Sequence, residues 1–288
     1  MLFRRRSRVP ASGRAAIAGV LAAPTFELVP LRHALDQAAF LPPGATVAVT
    51  ASPAKGIEAT VALCEQLQAA GFRAVPHLSA RMVRDRAHLC DLVAWLEGAN
   101  VDRAFVVGGD EKEPGAYPDG LSLLREMAEI GHPLGEIGIP CYPQGHAFIA
   151  DRALLESLRA KAPFASYMTT QLCFDPAAIG AWVRARRAEG IELPVRVGIP
   201  GVAEPHRLLA IAARIGVADT HRFLSKNVRF VARLIRSGGF YRPDGLLEGL
   251  ASVIADPAAS VVDLHLYTFN AVAATEAWRQ QYLAGLKG

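Results

Sequence analysis

Short runs of β-branched and apolar residues alternate along this chain with longer stretches whose apolar positions recur every three or four residues. The first pattern predicts buried strands, the second amphipathic helices. Strands are expected over residues 26–29, 46–50, 74–78, 103–107, 137–141, 167–173, 195–199 and 261–267. Helices are expected over 56–70, 86–96, 121–130, 150–161, 177–189, 206–215 and 271–286, with a helical insertion around 228–237. In the first helix Ile57, Val61, Cys64 and Leu67 form one stripe and Gly71 supplies the stop, while Asp85 is placed to cap the second.

Eight strands with intervening helices imply parallel β–α units joined by right-handed crossovers. They close most economically into a (β/α)8 TIM barrel, with an open doubly wound sheet as the rival arrangement. The expected division is a basic flexible tail over residues 1–23 and a single barrel catalytic domain over 24–288. Active sites of such barrels form at the C-terminal strand ends. Polar residues end otherwise apolar strands there: Glu27, Thr50, His77, Asp110, Tyr142, Gln171 and Asn270. Each alone could be a capped turn or a satisfied core group, but seven on one rim predict a site.

Composition narrows the picture. Half of the 288 residues are apolar and a fifth are charged, enough for one large core. A charged residue interrupts every hydrophobic run before it reaches membrane-spanning length, so a soluble, cytoplasmic protein without a membrane span is expected. The net charge of +4 is concentrated in Arg4, Arg5, Arg6, Arg8 and Arg14. Taking these five from 31 basic residues leaves 26 against 27 acidic ones, a near-neutral body that excludes a nucleic-acid backbone as partner. For the basic start, a targeting peptide and a phosphate-binding arm are the alternatives to a flexible tail. Self-association into a homo-oligomer is left open. Cys64, Cys90, Cys141 and Cys173 form no Cys-x-x-Cys pair and read as buried free thiols. No His-x-x-x-His or clustered carboxylate pattern points to a metal, no Gly-x-Gly-x-x-Gly to a dinucleotide loop, and no Gly-x-Ser-x-Gly to a hydrolase.

Several segments resemble the methylenetetrahydrofolate reductase family. They are Phe26-Glu27-Leu28-Val29-Pro30, Pro76-His77-Leu78-Ser79, Gly108-Gly109-Asp110, Tyr142-Pro143-Gln144-Gly145-His146, Thr170-Gln171-Leu172-Cys173-Phe174-Asp175 and His265-Leu266-Tyr267-Thr268-Phe269-Asn270. The resemblance implies reduction of 5,10-methylenetetrahydrofolate to 5-methyltetrahydrofolate by NADH or NADPH through bound FAD. On it Glu27 would be the general acid, because a carboxyl flanked by Phe26, Leu28 and Val29 is in a setting that favours its protonated form. Asp110 would join Glu27 in catalysis and would contact both the folate and the flavin. Gln171 and Phe174 would hold the folate substrate, and Thr50, His77, Gly109, Tyr142 and His146 the FAD. The family's Arg-Gly-Asp has Gly108 in place of its arginine, and Lys161-Ala162-Pro163-Phe164-Ala165 replaces its Asp-Ala-Gly-Ala. The alternatives are a flavin-independent, NADH-dependent reductase and another tetrahydrofolate-dependent one-carbon enzyme.

Overall fold

The computed structural model describes residues 9–204 and 240–286. The helices expected over 206–215 and 228–237, and the arginines at 4, 5, 6 and 8, lie outside the described residues. Eight strands are present: β1 (Thr25–Leu28), β2 (Thr46–Val49), β3 (Arg73–Ser79), β4 (Arg103–Val107), β5 (Glu136–Cys141), β6 (Tyr167–Thr170), β7 (Val195–Pro200) and β8 (Val261–Tyr267). Each pairs in parallel with the next, and β8 returns to β1 with Thr25 opposite His265 and Glu27 opposite Tyr267. The ring is closed, so the fold is a (β/α)8 TIM barrel and the open-sheet alternative falls.

The described helices are α1 (Ala11–Ala22), α2 (Ala34–Ala38), α3 (Ile57–Ala69), α4 (Arg86–Gly98), α5 (Gly120–Ile130), α6 (Asp151–Lys161), α7 (Pro176–Ala188), α8 (Asp244–Ile254) and α9 (Val272–Leu286). Local chemistry explains their starts. The Asp85 carboxylate accepts from the His88 backbone N–H at 2.8 Å and opens α4. Asp175 accepts from Ala177 and Ala178 and opens α7, with Pro176 in the first helical position, where its missing N–H costs nothing. Asp119 and Ser122 exchange hydrogen bonds across the first turn of α5 as a capping box.

Strand alternation sorts side chains between two cores. Leu264 and Leu266 of β8, Ile139 and Cys141 of β5 and Met168 of β6 face outward into the apolar layer under the helices. Ala48, Val75, Phe105 and Tyr167 meet inside the barrel. Gly138 makes that inner packing possible, since a Cβ there would lie 2.3 Å from the Tyr167 ring and 2.6 Å from Phe105. At the N-terminal end of the strands the interior is ionic. Arg196 meets Glu136 at 2.8 Å and Asp263 at 3.9 Å, Arg103 meets Glu136 at 3.6 Å, and the Thr25 hydroxyl donates to Asp263 at 3.1 Å. The Arg196 guanidinium also lies 3.5 Å from the Tyr167 ring centroid.

Two regions differ from the sequence expectation. Residues 11–22 of the expected flexible tail form α1, whose Ile17 and Leu21 are fully buried. Burial of two such side chains contributes about 2 kcal/mol each. Gly13 lets α1 approach α8 closely, a Cβ there reaching Ala251 at 3.2 Å. Arg279 of α9 donates to the carbonyls of Leu21 and Ala22, which the helix end would otherwise leave without partners. The run of small residues and arginines suggests a tail, but alanine is the best helix former and Ile17 and Leu21 are spaced one turn apart. The second difference is α8, which buries Leu246, Leu247, Leu250, Ala251 and Ile254 and had no counterpart among the expected helices. Among the described residues no helix is long and apolar enough to cross a membrane.

Candidate active site

At the C-terminal end of the strands Glu27 reaches into the barrel. Its Oε2 lies 3.1 Å from Nε2 of His265 and 4.0 Å from Nε2 of His77. Its side chain is 12% exposed, so the carboxyl is held within protein yet open to the mouth. The sequence expectation was a carboxyl in apolar surroundings. Phe26 and Leu28 do flank it, but they point to the outer core, and two imidazoles are its actual neighbours.

His77 packs against Phe105, ring centroids 4.8 Å apart. Burial drives its imidazole down to about 4, with Glu27 pushing upward and His265 downward, so the ring is neutral near pH 7. Its Nε2 is buried without a hydrogen-bond partner, as are the hydroxyls of Ser79 and Thr169, which share the interior face by strand alternation. Buried polar atoms without partners are uncommon and call for an explanation. Three of them on the interior face of the strands, one beside the Glu27 carboxyl, mark a place shaped for a polar guest.

A turn after β8 fixes the frame. The Thr268 hydroxyl donates to the Glu27 carbonyl at 2.5 Å, and Asn270 accepts from the Val29 N–H at 2.8 Å and donates to its carbonyl at 2.9 Å. Phe269 and Asn270 both take positive φ, 51° and 60°, which is uncommon for any residue but glycine and most unusual for a bulky one. The Asn270 amide thus extends the β1–β8 seam beyond the last strand pairing. Tyr267 donates its hydroxyl to the Thr170 carbonyl at 3.0 Å, and burial, followed by Glu27, pushes the phenol well above its ordinary range. Tyr142 is pushed up to about 12, mainly by burial and then by Cys141 and Asp110. Both phenols keep their protons at neutral pH.

The other expected residues are placed as follows. Thr50 is half-buried; its N–H donates to the Leu28 carbonyl and its own carbonyl accepts from Thr60. Gly109 takes φ +93°, and a Cβ there would lie 1.9 Å from the Ser79 hydroxyl, so the β3–β4 contact accounts for the glycine. Asp110 is exposed on the loop after β4. Gln171 turns its amide oxygen back to the Leu172 N–H at 2.9 Å. Phe174 is buried and packs edge-on to Tyr241, centroids 6.0 Å apart. His146 lies edge-on to Tyr142 and accepts from the Phe148 N–H at 3.3 Å. Glu27 and His77 are therefore brought together, while Phe174, Gln171 and His146 are engaged with their own surroundings. Among the described residues no group of His, Cys, Asp and Glu side chains is arranged to hold a metal ion.

Sequence reasoning did not assign His265, the nearest partner of Glu27. A signal was present: Asp263, His265 and Tyr267 alternate on one face of an expected strand, which puts three polar side chains inside the barrel.

No family model matches the chain. Among solved structures, one from Burkholderia cenocepacia J2315 described as a lyase/mutase is 12% identical, covers 96% of this chain and 86% of its own, and superposes with a TM-score of 0.46. Another from the same organism, described as a phosphonomutase, is 15% identical, covers 79% of this chain and 100% of its own, and has a TM-score of 0.43. Likeness at this level transfers no activity. These findings nevertheless correct the methylenetetrahydrofolate reductase expectation, since no family model supports it and the similar structures are described as a lyase/mutase and a phosphonomutase. The correction covers the family, the NAD(P)H-dependent oxidoreductase and flavoprotein class, and both alternatives, the flavin-independent reductase and the other tetrahydrofolate enzymes. There is a physical reason for the mistaken expectation. Every quoted segment lies at a strand end, where any barrel of this kind gathers short polar and glycine-containing stretches.

Proposed function

We propose that the chain is an acid–base enzyme that moves a proton to and from a small, uncharged polar molecule seated in the barrel mouth. A single observation carries this reading: the Glu27 carboxylate is held by His265 at 3.1 Å beside a neutral His77 whose Nε2 makes no hydrogen bond. An N–H donated by His265 to Oε2 orients the carboxylate, and no hydrogen bond engages Oε1 among the described residues. Oε1 is thus free to take a proton from a C–H or O–H of the guest and to return it at a neighbouring atom. His77, as a neutral donor, suits the oxygen on which negative charge develops during that transfer. Among the described residues, the polar side chains that the strands direct into this end of the barrel are Glu27, His77, Ser79, Thr169, His265 and Tyr267, with no lysine or arginine among them. Such a lining favours hydroxy-carbonyl compounds over phosphate esters, and isomerase- or lyase-type proton transfer over group transfer between anions.

The reading is tested by incubating the protein in D2O with dihydroxyacetone, glycolaldehyde and acetoin and following loss of C–H signal by proton NMR. Wild-type protein is expected to accelerate exchange in at least one of them. Glu27→Gln is expected to reduce that rate by about 100-fold or more, the usual contribution of a positioned general base. Equal exchange in the variant and the wild type, or no acceleration by the wild type, would overturn the proposal.

A further inference from the structure

A cavity of about 610 Å³ lies between α6, α7 and the end of β5. This volume falls in the range of small-molecule sites. It is bounded by Pro140 and Cys141 of β5 and by Tyr142, Pro143, Gln144 and Gly145 of the loop that follows; Cys141 belongs to the outer core, so the space lies on the helical side of β5. From α6 come Leu154, Leu155, Leu158 and Lys161, and from α7 Ala178, Trp182 and Arg186. Both sets follow the three- and four-residue spacing of a single helix face.

Lys161 decides what this cavity can take. Only 9% of the residue is exposed, it lines the cavity, and among the described residues its ammonium has neither a hydrogen bond nor an ion pair. Burial pushes its titration down, while Cys141 and Asp119 push it up. Arg186 stands in the same lining, bonded to Glu189 at 2.8 Å and 5.4 Å from the Trp182 ring, with its Nε buried and without a hydrogen-bond partner. Two carboxylates also line the space. Asp175 is committed to the first turn of α7, and Asp151 stands exposed at the start of α6.

The bland account of Lys161 is a last-turn lysine complementing the C-terminal end of α6. That role is filled equally well by an exposed side chain and supplies no reason to enclose most of a lysine and turn its ammonium into a cavity without a counter-ion, which carries a cost. An anion in the cavity would remove that cost. The leucines and Trp182 around it would receive an apolar body.

We propose that this cavity binds a small organic anion with an apolar body, a medium-chain or aryl carboxylate, paired to Lys161 and Arg186 and packed on Leu154, Leu158 and Trp182. The site lies on the helical side of β5, does not include Glu27, His77 or His265 in its lining, and is proposed independently of the reaction assigned to the mouth.

Calorimetric titration of the purified full chain with octanoate, 1-octanol and inorganic phosphate tests this. Octanoate is expected to bind at least tenfold more tightly than octanol, and phosphate not to bind. Lys161→Met is expected to abolish the octanoate advantage, Lys161→Arg to retain it, and Glu27→Gln to bind octanoate as the wild type does. Leu155→Trp narrows the cavity without touching the lysine, so its weakening of octanoate binding by tenfold keeps the test open if Lys161→Met fails to fold. Equal binding of octanoate and octanol, an advantage that survives in Lys161→Met, phosphate binding in place of octanoate, or loss of octanoate binding in Glu27→Gln would each overturn the proposal.

Discussion

At the N-terminal end of the barrel interior, Arg103, Glu136, Arg196 and Asp263 neutralise one another, and Thr25 and the Tyr167 ring complete their surroundings. At the C-terminal end, Glu27 has His265 and His77 about it, but His77 Nε2, Ser79 Oγ and Thr169 Oγ1 are left without partners. The lower ring is not fully saturated, since Nε of Arg103 and of Arg196 makes no hydrogen bond; each nonetheless faces a carboxylate, at 3.6 and 3.9 Å. Of the upper atoms only His77 Nε2 has a carboxylate near it, Glu27 at 4.0 Å, and no charge is paired with the two hydroxyls. Two polar layers in one barrel thus do different work. The lower one closes the tube by pairing charges with each other, and the upper one holds donors and acceptors ready for something that is not protein.

The largest effect that would break this comparison is the one stated for Glu27→Gln, a loss of proton exchange of about 100-fold or more with the fold intact. A substitution in the lower layer should show the reverse. Arg196→Met removes the cation shared by Glu136 and Asp263; Glu136, about a third exposed, keeps Arg103, but the largely buried Asp263 is left without its cation. A loss of about 3–5 kcal/mol in urea unfolding is expected, with exchange per folded molecule unchanged. If Arg196→Met abolished exchange in folded protein, the separation into layers would be wrong.

Acid titration sharpens the contrast, because the two layers respond with opposite sign. The unfolded chain protonates an ordinary histidine below about pH 6.5. Folded His77 resists until about 4, so its contribution to stability falls as pH drops through that window. Burial of Asp263 drives its carboxyl up to about 6, against the lowering influence of Arg196, so the folded state holds that proton longer and stability rises as pH falls from 6 towards 4. The difference between wild-type and His77→Gln stability curves isolates the upper contribution. The wild type should lose roughly 3 kcal/mol relative to the variant on going from pH 7 to pH 4. Parallel curves would remove His77 from the account. The smallest effect is expected at the seam. Asn270→Ala deletes two hydrogen bonds to Val29 and should cost about 1–2 kcal/mol in urea unfolding. A neutral result would show that water or a relaxed loop replaces the amide.

Much of the fold was legible in the sequence because its signals are local. The expected strands 103–107 and 261–267 coincide with β4 and β8, and the Asp85 cap stands where its spacing to His88 placed it. Strand six was expected to run to residue 173 and ends at Thr170, after which the chain turns into the Asp175 cap of α7. The stretch over residues 11–22 misled because an alanine-rich helix has a weak hydrophobic pattern and declares itself only when α8 and α9 bury Ile17 and Leu21. The family resemblance misled for a related reason. Short strand-end segments report barrel architecture more readily than they report chemistry.

The sequence by itself determined the order of eight strands, the helices between most of them, and the polar residues that end seven of the strands, because periodicity and capping act over a few residues. Only the tertiary structure decided which polar residues meet. Glu27 and His265 lie 238 positions apart and touch because β8 closes back onto β1. Lys161 of α6 and Arg186 of α7 line one cavity because consecutive β–α units stand side by side around the ring, and both are facts about its closure that no local pattern contains.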